Sequence, residues 1–192
     1  GRMSRAELAR RLGLNRSSSG QIVAELTESG LVREVAGFEE DREQPIRGAG
    51  RPGIMLELVP DAAFFAGIEI GVEHISAITI DLAGERRAHA RLQFDAPSAP
   101  VEKLVAQALD LAFKSMTPVM ASRCKGVGIS APMHIRPDGI VRLAPRIGWR
   151  DLALTRIIEA AIPEHIPVMI ENDANAFAIG DGTAGRETQQ FI

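Results

Sequence analysis

Residues 170–180 read Ile-Glu-Asn-Asp-Ala-Asn-Ala-Phe-Ala-Ile-Gly, an apolar run that ends in three polar residues and passes into a small-residue stretch of helical character. Asp173, at that junction, has two chemistries open to it: general base toward a hydroxyl, or acceptor that holds a bound polyol. Asn172 beside it adds an amide, and a carboxylate with an amide can take two adjacent hydroxyl groups. The place where a strand ends and a helix starts is the edge at which α/β sheets bind ligands. The competing reading is that Asp173 only caps the last helix. Glu171 is read as structural.

A second constellation stands at the other end of the chain. Ser4 precedes Glu7 by three residues, the capping-box spacing, and opens a short helix closed by Gly13. After Leu14, Asn15 caps a second helix that carries Ile22, Val23 and Leu26 on one face and ends at Gly30. Two helices joined by a tight turn follow the helix-turn-helix plan. The start of the second helix then exposes Arg16, Ser17, Ser18 and, one turn on, Gln21, and with the capping Asn15 these form the expected DNA-binding set. Arg suits guanine and Gln suits adenine in the major groove, and serines bind phosphate or base. The alternative is that short polar residues there merely cap the helix, although three successive serines exceed what capping needs. Residues 31–35 and 54–58 alternate as two strands of a wing. The segment Arg-Gly-Ala-Gly-Arg-Pro-Gly at 47–53 is slim and extended, so Arg51 could enter a narrow minor groove with Arg47 assisting from its flank. A flexible linker is the other reading of that segment.

The elements between these ends define the scaffold. Strands are predicted around 66–71, 74–82 and 86–94, with Ala83-Gly84 as a hairpin turn. Apolar residues at 101, 104, 105, 108, 109 and 112 predict an amphipathic helix. A strand at 125–130, an irregular Pro/Gly segment to Trp149, a helix with Leu154, Ile157, Ile158 and Ala161 aligned, the strand at 167–170 and a last helix from Ala174 complete the reading. Three antiparallel strands followed by alternating helices and strands make a mixed α/β layer, one lobe of an RNase H or actin-like fold. Arg87, His89 and Arg91 read as a solvated strand face, and Cys124 as core.

Composition narrows the class. The 192 residues are 45% hydrophobic and 24% charged, ordinary globular material with a net charge of −3. Bulk coating of nucleic acid is excluded, and any DNA contact must be local; residues 1–35 carry six arginines against four glutamates. The single cysteine excludes an internal disulfide framework and any multi-cysteine zinc site in this chain, and His134 and His165 have no partners at metal spacing. With no signal peptide and no membrane-length apolar run, a cytoplasmic protein is expected. The head Gly-Arg-Met-Ser and the tail Gln-Gln-Phe-Ile are read as those of a fragment of something longer.

Taken in order, Ser4–Val32, Gly50-Arg-Pro-Gly53, Gly67-Ile-Glu-Ile-Gly71, Val127-Gly-Ile-Ser-Ala-Pro132, Leu143-Ala-Pro-Arg-Ile-Gly-Trp149 and Glu171–Gly180 resemble the ROK family of repressors, open reading frames and sugar kinases, in its winged-helix regulator branch. The resemblance implies a winged helix-turn-helix domain over residues 1–59 and, over 60–192, the first, incomplete lobe of a sugar-kinase-like domain. It implies operator DNA and a carbohydrate-type effector as partners, and a homodimer or higher homo-oligomer. The family's zinc segment would lie beyond Ile192, so no metal or cofactor is assigned to this chain.

In the family's kinases the aspartate matching Asp173 is the base, but phosphoryl transfer also needs an Asp-x-Gly-Gly-Thr turn around the nucleotide. Here that turn reads Glu69-Ile-Gly71-Val72-Glu73. Val72 blocks close backbone approach and Glu73 repels phosphate. The expectation is a sugar-responsive regulator, a repressor, without kinase activity and without a catalytic residue. Its rivals are a sugar kinase with a DNA-binding head and a constitutive repressor whose lobe only dimerises. Two departures bear on the effector: Arg146 stands where the kinases carry a sugar-contacting Asn, and Met133 where they carry Gly. Arg146 either pairs with an acidic or phosphorylated sugar or points to solvent.

Overall fold

The computed structural model describes residues 2–36 and 54–184, in two compact units, Gly1–Ala62 and Ala63–Ile192. The first unit comprises β1 (Arg2–Ser4), α1 (Arg5–Leu12), α2 (Arg16–Glu28), β2 (Val32–Ala36) and β3 (Ile54–Leu58). Ser4 starts α1 because its side-chain oxygen accepts the Glu7 N–H at 3.1 Å. Gly13 ends it in the left-handed conformation (φ 64°), returning its N–H to the carbonyls of Ala9 and Arg10. Asn15 starts α2, accepting the Ser18 N–H at 2.8 Å.

Strand β3 runs antiparallel between β1 and β2, with Arg2 opposite Glu57 on one side and Arg33 opposite it on the other. Arg33 and Arg2 reach the Glu57 carboxylate at 2.7 and 3.2 Å and hold its pKa below the ordinary carboxylate value, mainly through the Arg33 hydrogen bond. The strand β1 was not foreseen; three residues show no period. The helical face expected from Ile22, Val23 and Leu26 is narrower than read: Val23 is buried, but Ile22 is 36% exposed. Adjacent helix positions diverge by about 100°, so one small core accepts only one of the pair.

The second unit comprises β4 (Phe64–Ile70), β5 (His74–Asp81), β6 (Arg86–Gln93), α3 (Val101–Ser115), α4 (Pro118–Ser122), β7 (Cys124–Ala131), β8 (His134–Ile135), β9 (Val141–Ala144), β10 (Trp149–Leu152), α5 (Leu154–Ala161), β11 (Val168–Asn172) and α6 (Asp173–Ala184). Its main sheet has the order β11-β7-β4-β5-β6. Strands β4, β5 and β6 pair antiparallel, while β7 and β11 join parallel to β4. Alternation explains the layering: Phe64, Ala66, Ile68 and Ile70 of β4 and Ile75, Ala77, Thr79 and Asp81 of β5 are the buried set. Helix α3 covers that face with Leu104, Val105, Ala108, Leu109 and Ala112. A fully buried Leu- or Val-sized side chain contributes roughly 1.5–3 kcal/mol, so α3 is held by its stripe rather than by propensity. Cys124 is buried at the start of β7.

Two sequence expectations are corrected in this unit. The stretch before Trp149, read as irregular, forms a small sheet of order β10-β9-β8, and Val141, Ala144, Ile147 and Trp149 join the core from it. Strands of two to four residues, with Gly139 and Gly148 in positive-φ turns, carry too little alternation to be read. Arg87, read with His89 and Arg91 as a solvated face, donates to Asp81 at 2.9 Å. The Asp81 side chain is 1% exposed and also accepts the N–H groups of Ala83 and Glu85, so the β5–β6 turn is built around it. Among the described residues, no helix is long and apolar enough to cross a membrane.

Candidate functional site

Because β4, β7 and β11 are parallel, their C-terminal ends lie along one edge of the sheet. Glu69 is registered with Ser130, and Ser130 with Glu171, so the turn after β4, the Pro132-Met133 segment after β7 and the start of α6 converge there. Between them is a cleft of about 320 Å³ lined by Glu69, Gly71, Val72, Glu73, His74, Pro132, Arg146 and Asp173.

The junction Glu171-Asn172-Asp173 divides its work in a way that adjacency concealed. Asn172 Oδ1 accepts the N–H of Ala174 at 2.9 Å and of Asn175 at 3.3 Å, capping α6. Its Nδ2 donates to the Met133 carbonyl at 2.8 Å and ties β11 to the segment after β7. Asn172, expected to meet a ligand, thus spends its oxygen and one amide N–H within the protein and is not among the residues lining the cleft. Asp173 begins α6 rather than preceding it, accepts the Ala174 N–H at 2.9 Å and faces the cleft. Glu171 accepts the Asn172 N–H at 2.8 Å and the Asn175 amide at 3.0 Å, and these bonds hold its carboxyl below the ordinary range.

Arg146, in the turn between β9 and β10, both lines the cleft and is exposed, so the structure leaves its two readings open; it has no ion pair among the described residues. The cleft thus carries three carboxylates, one guanidinium and the His74 imidazole, against apolar Val72 and Pro132. His74 was missed by the sequence reading. It stands over Gly71 because the β4–β5 hairpin folds it back. No group of three or more His, Cys, Asp or Glu suited to a metal occurs among the described residues.

In the first unit, Ser17 and Gln21 are exposed one helical turn apart on α2, and Ser18 is half-buried. Gln21 donates to Glu25 at 3.1 Å, which leaves its amide oxygen available. Asn15 is exposed, with its side-chain oxygen engaged as the cap. Arg16 is the first residue of α2, and its side chain lies outside the described parts, as do Arg47 and Arg51 entirely.

The model of the ROK family matches residues 65–192. The chain belongs to the ROK family. It is 30% identical over 183 residues to the xylose repressor of Bacillus spizizenii, covering 95% of this chain and 45% of that one. In fold it is similar to a ROK family transcriptional regulator described as a homologue of the E. coli MLC protein, with TM-score 0.70 and 22% identity over 94% of this chain and 44% of that one. A ROK family glucokinase from Streptomyces griseus, solved with glucose and AMPPNP, aligns with TM-score 0.52 and 26% identity over 62% of this chain and 36% of that one. This ROK chain spans under half the length of the curated repressors it matches. Its α/β unit shares the actin-like fold of the family's sugar kinases.

Proposed function

We propose that this ROK chain is the DNA-binding and effector-sensing part of a sugar-responsive transcriptional repressor that has no kinase activity. The observation that carries the reading is the cleft itself: Asp173 is retained at the sheet edge, whereas the turn opposite it presents Val72 and Glu73. A carboxylate at the rim suits hydroxyl recognition, and a β-branched side chain and a second carboxylate oppose a nucleotide's phosphates. Similarity to the xylose repressors along 95% of the chain supports the same reading and makes a sugar the first effector to test.

Residues 1–59 act as a winged helix-turn-helix, with β2 and β3 flanking the wing and α2 as the recognition helix. Arg16, Ser17, Ser18 and Gln21 meet operator DNA, Arg51 enters the minor groove and Arg47 assists. Residues 60–192 sense the effector through Asp173 and Arg146. Effector binding favours one arrangement of paired DNA-binding heads in a homodimer, since a ligand with equal affinity for both arrangements shifts nothing.

The test is thermal unfolding of the intact protein against pentoses, hexoses, sugar acids and sugar phosphates, with MgATP as a separate arm. A stabilising sugar whose effect disappears in Asp173→Ala, with no MgATP effect, is the expected result. Stabilisation by MgATP would restore the kinase reading and make Asp173 its base.

A further inference from the structure

His74 lies in the cleft, yet its side chain is only 21% exposed, because the ring is folded down onto the backbone of Gly71. A Cβ placed on Gly71 would stand 2.5 Å from His74 Cε1, 2.7 Å from Nδ1 and 3.0 Å from Nε2. Any other residue at 71 would force that ring to swing aside. The hairpin fixes its position: the Gly71 N–H donates to the His74 carbonyl at 2.9 Å, and Ile70 pairs with Ile75. Glu69 flanks the ring, with Oε2 3.6 Å from Nε2.

A glycine in a turn at the end of the first parallel strand is where a phosphate group can approach bare backbone. Here that approach is filled from within the protein. We infer that His74 is a specificity-determining residue: its imidazole occupies the space over Gly71 that a nucleotide or sugar phosphate would need, and so confines the cleft to unphosphorylated ligands at that end. Gly71 is then required for packing the ring rather than for admitting phosphate. The inference rests on the sensor reading above and adds a cause to it, since Val72 and Glu73 alone would leave the space over Gly71 open.

The experiment restores the turn in steps in the intact protein and measures MgATP binding by calorimetry. Val72→Gly/Glu73→Thr rebuilds a Gly-Gly-Thr turn with His74 in place, and the triple variant adds His74→Ala. Each variant is first checked for an unfolding transition and for retained stabilisation by the sugar found above, so that loss of fold is not scored as loss of binding. The expected result is no MgATP binding by the unaltered protein or the double variant, and at least a tenfold gain in the triple variant. A double variant that binds MgATP as well as the triple would show that the ring is not in the way and would overturn the inference while sparing the sensor reading. A folded triple variant that gains nothing would overturn it equally. Binding by the unaltered protein would sink the sensor reading as well.

Discussion

Replacing Asn172 by alanine tests whether the cleft is pinned as described. The change removes the cap acceptor for the N–H groups of Ala174 and Asn175 and the donor to the Met133 carbonyl. Loss of an N-cap costs about 1 kcal/mol, and loss of a part-buried amide–carbonyl bond about another 1 kcal/mol. The α/β unit should therefore lose about 2 kcal/mol. Trp149 is the only tryptophan of the 192 residues and lies in the core of that unit, so its fluorescence reports this transition and not that of the helical unit. With a urea dependence of about 2 kcal/mol/M, the midpoint should fall by about 1 M. Asn172→Asp keeps the cap oxygen but turns the donor to the Met133 carbonyl into a second acceptor facing it, so it should restore the cap and still lose the tie between β11 and the segment after β7. An alanine variant within about 0.5 kcal/mol of the parent would refute the pinning role and return Asn172 to the ligand-contact reading.

Two further outcomes follow from the first unit. Asn15→Ala should lower its stability by about 1 kcal/mol through loss of the Ser18 cap, whereas Gln21→Ala should leave unfolding unchanged and weaken operator binding; circular dichroism with fluorescence anisotropy on labelled DNA separates the two. Glu57 is held below its ordinary value of 4.5 by Arg33 and Arg2, so its contribution is present above that value and disappears as pH falls below it. An acid titration of stability should thus lose a component below about pH 4.5 in the parent but not in Glu57→Gln, and an identical pH profile for the two would contradict the Arg2–Glu57–Arg33 bridge.

Local rules were enough for the elements that announce themselves over one or more turns. The Ser4 and Asn15 caps, the left-handed stop at Gly13, the alternation of β4 to β6 and the buried stripe of α3 were all legible, because each depends on residues within a few positions of one another. Strands β1, β8, β9 and β10 were not, since two to four residues carry no measurable period and exist only through pairing with distant partners. The same divide runs through the site. The sequence determined that a carboxylate and an amide stand together at a strand–helix junction and that Val72 and Glu73 follow Gly71. Which of Asn172 and Asp173 enters the cleft was decided by the parallel register of β11 on β7, which brings the Met133 carbonyl within reach of the amide and leaves the carboxylate to the cleft. Arg146 reached the cleft wall through the β9–β10 hairpin, and His74 came to lie over Gly71 through the β4–β5 hairpin. Side chains far apart in sequence, or adjacent but diverging in direction, acquire a common site only when strand pairing sets their separation and orientation.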